Sequence, residues 1–126
     1  MEKTDFSLAR GASPSLVHNK APKPGEPVDF RETELSRERR ICPGIIVWLP
    51  PRPEGTQVVL LVGRWTTALA TMLTSTDGLH TIEQELKKIG SPTGWEMVVQ
   101  AEVQADTTVL RTWPVAVHPV SASYWK

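Results

Sequence analysis

Two aliphatic runs set most of what this chain can fold into. "GIIVWLP" at 44–50 and "VVLLV" at 58–62 flank a loop, "PRPEGTQ", that mixes proline, glycine and charge. Extended, the first run points Ile45, Val47 and Leu49 one way and Ile46 and Trp48 the other. Both faces are apolar, so the strand is expected to be covered on both sides and to sit at the centre of the structure. Pro50-Pro51-Arg52-Pro53 ends its pairing, because proline has no N–H to give a ladder. Val58–Val62 then returns as a second buried strand, making an antiparallel hairpin.

The rest of the chain is uneven in a way that suggests domain limits. A chain of 126 residues forms one domain. Residues 1–40 hold few large apolar side chains (Phe6, Leu8, Leu16, Val17, Val28, Phe30, Leu35), and these fall without a period. All five tryptophans and nearly all the β-branched aliphatics lie beyond. The folding unit is therefore expected at 41–126, preceded by a disordered, charged and proline-rich N-terminal arm over 1–40. Within the arm, "DFRETELSRERR" at 29–40 reads as about two helical turns with Asp29 as N-cap and charge pairs such as Glu34 with Arg37. Arg37, Arg39 and Arg40 form the chain's basic concentration.

Beyond the hairpin, Ala68–Thr74 alternates as a third strand. "TSTDGLHTIEQELKKIG" places Leu79, Ile82, Leu86 and Ile89 on one helical stripe, with Thr76 or Asp77 at its start and Gly90 at its end. Trp95, Met97, Val99, Ala101 and Val103 alternate with Glu96, Gln100, Glu102 and Gln104, Val98 being the apolar exception on the polar side. A turn at Gln104-Ala105-Asp106 leads to a return strand from Thr107, interrupted at Trp113-Pro114. The pattern is that of a mainly β (α+β) domain: a five- or six-stranded antiparallel barrel with one short amphipathic helix.

Several function classes lose support at this level. Fourteen basic and fourteen acidic residues cancel, so the chain has no overall electrostatic footprint for nucleic acid. Cys42 is the single cysteine, which excludes an intrachain disulfide and a cysteine metal cage. Its place before Pro43-Gly44 reads as structural. No metal motif, phosphate loop or cofactor fingerprint is present. No apolar run reaches membrane-spanning length and no secretory signal is visible, so an intracellular, cytoplasmic protein is expected. His18, His80 and His118 are read as isolated residues rather than an acid–base pair.

The order of parts nevertheless resembles the PemK/MazF family of toxin endoribonucleases. The likeness rests on "GIIVWLP", "PPRPEGTQ", "VVLLV" and a following strand that ends in "LTS", within residues 43–78. It implies an SH3-like barrel whose 50–57 loop closes over single-stranded RNA, with homodimers common. Carried over, it makes Thr74 and Ser75 the hydroxyls that assist cleavage, and Glu54, Gln57 and Trp65 substrate contacts. The family's catalytic arginine stands in an Arg-Pro before the second aliphatic strand. Here Gln57-Val58 occupies that place, and Arg52 and Arg64 are the nearest cations. Attack by a 2′-hydroxyl needs both a proton carrier and a cation beside phosphorus. The expectation is therefore an RNA-binding protein with degenerate or lost cleavage, using Arg52, Arg64, Thr74 and Ser75. The alternative is a noncatalytic interaction module that holds a protein partner through the arm, Trp65 and Trp125.

Overall fold

The computed structural model describes residues 3–9 and 16–126. Its elements run β1 (Phe6–Leu8), β2 (Leu16–Asn19), β3 (Asp29–Arg31), β4 (Thr33–Glu34), β5 (Arg39–Trp48), β6 (Val59–Gly63), α1 (Thr66–Thr74), α2 (Thr76–Lys87), β7 (Trp95–Gln104) and β8 (Val109–Pro119). All strand pairs are antiparallel. β1–β2–β3 make a small sheet; β4–β5–β7–β8, with β6 also on β5, make a larger one.

The hairpin is where the sequence placed it. β5 pairs with β6 from Gly44↔Gly63 to Trp48↔Val59, and with β7 along its whole length. The two faces of β5 are both buried, as its pattern required. Ile45, Val47 and Leu49 enter one core with Phe6, Val17, Phe30, Val98, Ala116 and Val120. Ile46 enters the other with Leu69, Met72, Ile82, Trp95, Met97 and Val99. The large sheet is thus the middle of three layers, with the small sheet on one face and the helices on the other. Pro43 is tolerated in this central strand because of where it falls. Leu49 donates to Val58, so odd-numbered β5 residues point their backbone groups toward the β4/β6 edge. Pro43 lies between the last β4 partner, Ile41, and the first β6 partner, Gly44, where no strand needs its N–H.

Four expectations are corrected. Among the described residues the sheets do not close into a barrel; eight strands form two open sheets. The described part of 1–40 is not a disordered arm but supplies a whole layer, with Phe6, Val17 and Phe30 buried. What that reading said of residues 1, 2 and 10–15 lies outside the described residues. The expected helix over 29–40 is β3, β4 and the start of β5. Helical charge pairs add only about 0.2–0.5 kcal/mol each, whereas burying Phe30 yields about 1.5–3 kcal/mol. The expected strand 68–74 is α1, so the described residues hold two helices. Ala68, Leu69 and Met72 form its buried side, and the Thr71 and Thr74 hydroxyls donate back to the Thr67 and Ala70 carbonyls, 2.9 Å each. The alternation of Ala and Thr there carried no strand information.

The expected amphipathic helix is α2. Its N-cap is Ser75 rather than Thr76 or Asp77; the Ser75 hydroxyl accepts from the Gly78 N–H at 3.0 Å. Trp113-Pro114 does not break β8. The strand passes it with register shifts that leave Val115 and Leu110 unpaired, and Pro114 is accepted because β8 is an edge.

A buried polar junction holds the small sheet to the large one. Glu96, on the β7 face where Val98 broke the polar pattern, is 1% exposed. It accepts from the Asp5 N–H (2.8 and 3.0 Å to its two oxygens) and the Phe6 N–H (2.7 Å). Beside it, His118 Nδ1 meets Asp5 Oδ2 at 2.9 Å and Nε2 meets Glu26 Oε1 at 2.7 Å. Burial pushes the Glu96 carboxyl above its ordinary 4.5, against the pull of the two N–H groups. Glu26 also feels burial, but the Lys23 N–H, His118 and Asn19 outweigh it and hold its carboxyl below 4.5. The two groups act on stability with opposite signs. Glu26 binds its proton more weakly folded than unfolded, so its contribution is complete above pH 4.5 and is lost as pH falls through its lowered value. Glu96 favours the folded state at low pH, and that contribution fades as pH rises from 4.5 through its raised value. Glu26→Gln is expected to flatten the acid side of the stability profile. Urea midpoints from pH 3 to 6 measure it, and a profile as steep as the wild type's would contradict the assignment.

Candidate functional site

The residues singled out for RNA cleavage are not brought together. Arg52 sits in the β5–β6 turn, which is closed by the Arg52 N–H to the Thr56 carbonyl (3.0 Å) and the Gly55 N–H to the Arg52 carbonyl (2.8 Å). Its guanidinium lies 4.4 Å from the Trp125 ring centroid and 4.0 Å from Glu54. Gln57 donates to the Leu49 carbonyl. Arg64 follows β6 at the opposite end, so five strand residues, about 17 Å, separate the two cations. Thr74 spends its hydroxyl on the helix, and Ser75 caps α2. Thr74 and Ser75 therefore lie on the helix side of the sheet, while the 50–57 loop leans on the C-terminal segment.

The tryptophans expected to be adhesive are also in use. Trp125 packs against the small-sheet core and its Nε1 donates to the Pro50 carbonyl at 2.6 Å. Trp65 packs against the cluster of Ala68, Ala101 and Val103. His80 is exposed on α2 and His118 is buried beneath the small sheet, so the two do not meet.

Two concave surfaces stand out among the described residues. The first, a pocket of about 320 Å³, opens beside the start of α1 and is lined by Arg37, Arg40, Arg64, Trp65, Glu38 and the β7–β8 turn. Its base is Glu32, whose buried carboxylate meets Arg64 at 3.4 Å, Arg40 at 3.5 Å and the Cys42 thiol at 3.1 Å. Burial, then the bond to Glu32, pushes Cys42 up to about 11, so at neutral pH it is an unreactive thiol, in keeping with its structural reading. The Trp65 Nε1 is buried there without a hydrogen-bond acceptor among the described residues. A parallel arrangement on the other face of the sheet has Glu102 gripping Arg111 (2.9 Å) and Arg39 (3.2 Å). The basic concentration seen in the sequence is thus largely neutralised by buried carboxylates.

The second surface is an apolar groove of about 470 Å³ between α2 and the turn end of the β5–β6 hairpin, lined by Trp48, Leu73, Leu79, Ile82, Leu86, Pro92 and Trp95. Trp48 and Trp95 face each other across the β5–β7 register and stack at 5.8 Å with planes 6° apart. Leu79, the first residue of the helical stripe, is 47% exposed at its rim, while Ile82 is buried below. Glu83 is the one charged residue in the lining. The sequence held the signals for this groove, since Trp48 and the Leu79 stripe were both legible. Their convergence is hidden in the sequence because it depends on α2 lying over the β5–β7 pair of an open sheet.

Among the described residues, no cluster of His, Cys, Asp and Glu is suited to hold a metal ion. No helix there is long and apolar enough to cross a membrane. Compared with protein-family models, curated proteins and solved structures, the chain matches none.

Proposed function

We propose that this chain is a noncatalytic interaction module that takes apolar side chains of a protein partner into the groove over Trp48 and Trp95. The observation that carries the reading is the groove itself. It is a preformed concave apolar surface, floored by a stacked aromatic pair and rimmed by an exposed leucine. Aromatic-floored pockets that desolvate fully are where interfaces concentrate their affinity. Glu83 at the wall favours a partner segment that follows its apolar anchor with a basic residue. PemK/MazF kinship keeps the 43–63 hairpin as its support, and the dispersal of Arg52, Arg64, Thr74 and Ser75 weighs against cleavage.

The test is selection of peptides from a random displayed library on the purified protein. Selected peptides are expected to carry aromatic or aliphatic anchors, and Leu79→Glu, at an exposed position that leaves the core intact, is expected to weaken them at least about tenfold. Peptides that bind Leu79→Glu as well as wild type would overturn the reading.

Single-stranded RNA is the second reading, favoured by the pocket of Arg37, Arg40, Arg64 and Trp65. A mixed oligonucleotide that binds with a steep salt dependence, and loses binding in Arg40→Ala and Arg64→Ala, would select it over the groove.

A further inference from the structure

The groove over Trp48 and Trp95 constrains the backbone of whatever enters it as well as the side chains. At its floor the sheet has no open edge. Trp48 pairs with Val59 on one side and Trp95 on the other, and Trp95 pairs with Pro119 beyond. The α2 wall is closed in the same way. The Leu79 N–H donates to the Ser75 carbonyl at 3.0 Å, and the Leu86 carbonyl accepts from the Ile89 N–H (3.1 Å) and the Ser91 N–H (2.9 Å). Outside helix and strand the lining holds Pro92 and Thr93, too few for a ladder, and Pro92 has no N–H. Extended peptides gain their affinity from a free sheet edge, which this groove lacks. A strand laid here would turn half its N–H and C=O groups onto apolar side chains and leave them unpaired. A helix brings those bonds with it.

The α2 wall also has the spacing that a second helix needs. Leu79, Glu83 and Leu86 stand at i, i+4 and i+7, with Ile82 buried beneath them. They run along the opening for about 10 Å, or about two turns. Leu79 and Glu83 are exposed and Leu86 is half-buried. Glu83 stands between the two leucines and forms no ion pair among the described residues. Lys87, one turn on, is beyond ion-pair distance of it, and Lys88 is held by Glu85 at 2.6 Å.

We propose, taking the groove as the binding surface, that the partner segment is an amphipathic helix lying along α2. Its apolar anchors recur at i, i+3 or i+4, and i+7 over Trp48, and a lysine or arginine beside that stripe meets Glu83. Helices pack by setting the side-chain ridge of one into the groove of the other, and Leu79 to Leu86 is such a ridge. Apolar contact alone leaves the partner free to slide by a turn. A cation opposite the carboxylate between the two leucines fixes its register.

Peptides of about 15 residues, long enough for about four helical turns, are selected from a random displayed library on the purified protein. The tightest binder that Leu79→Glu weakens is then varied. Proline midway between its anchors, on the side away from the groove, is expected to weaken it at least about tenfold, because it breaks a helix without touching the protein. Alanine at the same place is expected to bind as the parent does. Carbon-13 shifts of the labelled peptide are expected to move to helical values on binding. Glutamate in place of its basic residue is expected to weaken binding, and Glu83→Lys, at an exposed site, to restore it. A binder that respects Leu79→Glu yet tolerates the proline, or shows extended-chain shifts, overturns the helix and leaves the groove standing. Affinity unchanged by either charge exchange overturns the contact with Glu83. A library that yields no binder, or only binders indifferent to Leu79→Glu, overturns the function proposed above and the helix with it.

Discussion

Phe6→Ala is expected to destabilise the protein by about 3–5 kcal/mol, a large share of the roughly 5–15 kcal/mol that holds a domain together. Phe6 is completely buried. Its ring lies 4.5 Å from the His118 ring and meets Phe30 edge-on at 6.4 Å. Its N–H donates to the buried Glu96 carboxylate. Truncation opens a cavity where the two sheets are pinned together and loosens the strand that satisfies Glu96. A buried carboxylate that loses its donors is costly, so the effect belongs at the upper end of the range. Urea unfolding followed by tryptophan emission measures it. If residues 1–40 were a flexible arm, the change would stay within about 0.5 kcal/mol.

Gly78→Ala is expected to cost about 3 kcal/mol, although the same substitution inside an ordinary helix stabilises by about 1 kcal/mol. The reason is the junction between α1 and α2. Ser75 ends one helix and caps the next in extended conformation, so α2 starts directly against the last turn of α1. A Cβ on Gly78 would overlap the Met72 carbonyl oxygen and would lie 2.7 Å from Ser75 Oγ and 2.8 Å from the Met72 carbonyl carbon. The obstacle is mostly backbone, so relief requires α2 to tilt away, opening the core that Met72 and Ile82 share. Thermal unfolding of Gly78→Ala against the wild type decides it: a raised midpoint would mean that the two helices are not packed this way.

These two positions show what the sequence revealed and what it hid. The hairpin was legible because its two apolar runs are short, rich in β-branched residues and bounded by proline and glycine, and the Leu79–Ile89 stripe because its spacing fits a helix. The small sheet was hidden because β1, β2 and β3 are three or four residues long, too short for a period. Their buried residues, Phe6, Val17 and Phe30, look scattered in a charged context. The signal that could have found them lay in β7. Val98 on its polar face, between Glu96 and Gln100, shows that this face was meant to be covered. Glu96 and His118 could then have been read as buried groups needing partners from elsewhere in the chain.

The candidate site was less legible than the fold. Reading Ala68–Thr74 as a strand put Thr74 and Ser75 at a sheet end beside the 50–57 loop. As helix α1, the same residues turn their hydroxyls to the backbone and to the cap of α2. The arginines were misread for a different reason. Arg37, Arg39 and Arg40 are adjacent in sequence, but alternation sends Arg39 to Glu102 on one face and Arg40 to Glu32 on the other. A strand divides what a helix would have gathered into a patch.

The five tryptophans divide among separate places: Trp48 and Trp95 at the groove, Trp65 at the arginine pocket, Trp113 beside Arg111 on the edge strand, and Trp125 against the 50–57 loop. Fluorine NMR of the 5-fluorotryptophan-labelled protein therefore reports which surface a bound ligand meets. On adding a selected peptide, the Trp48 and Trp95 resonances are expected to shift while the other three stay in place. A shift at Trp65 or Trp125 with Trp48 and Trp95 unmoved would contradict the groove as the binding surface.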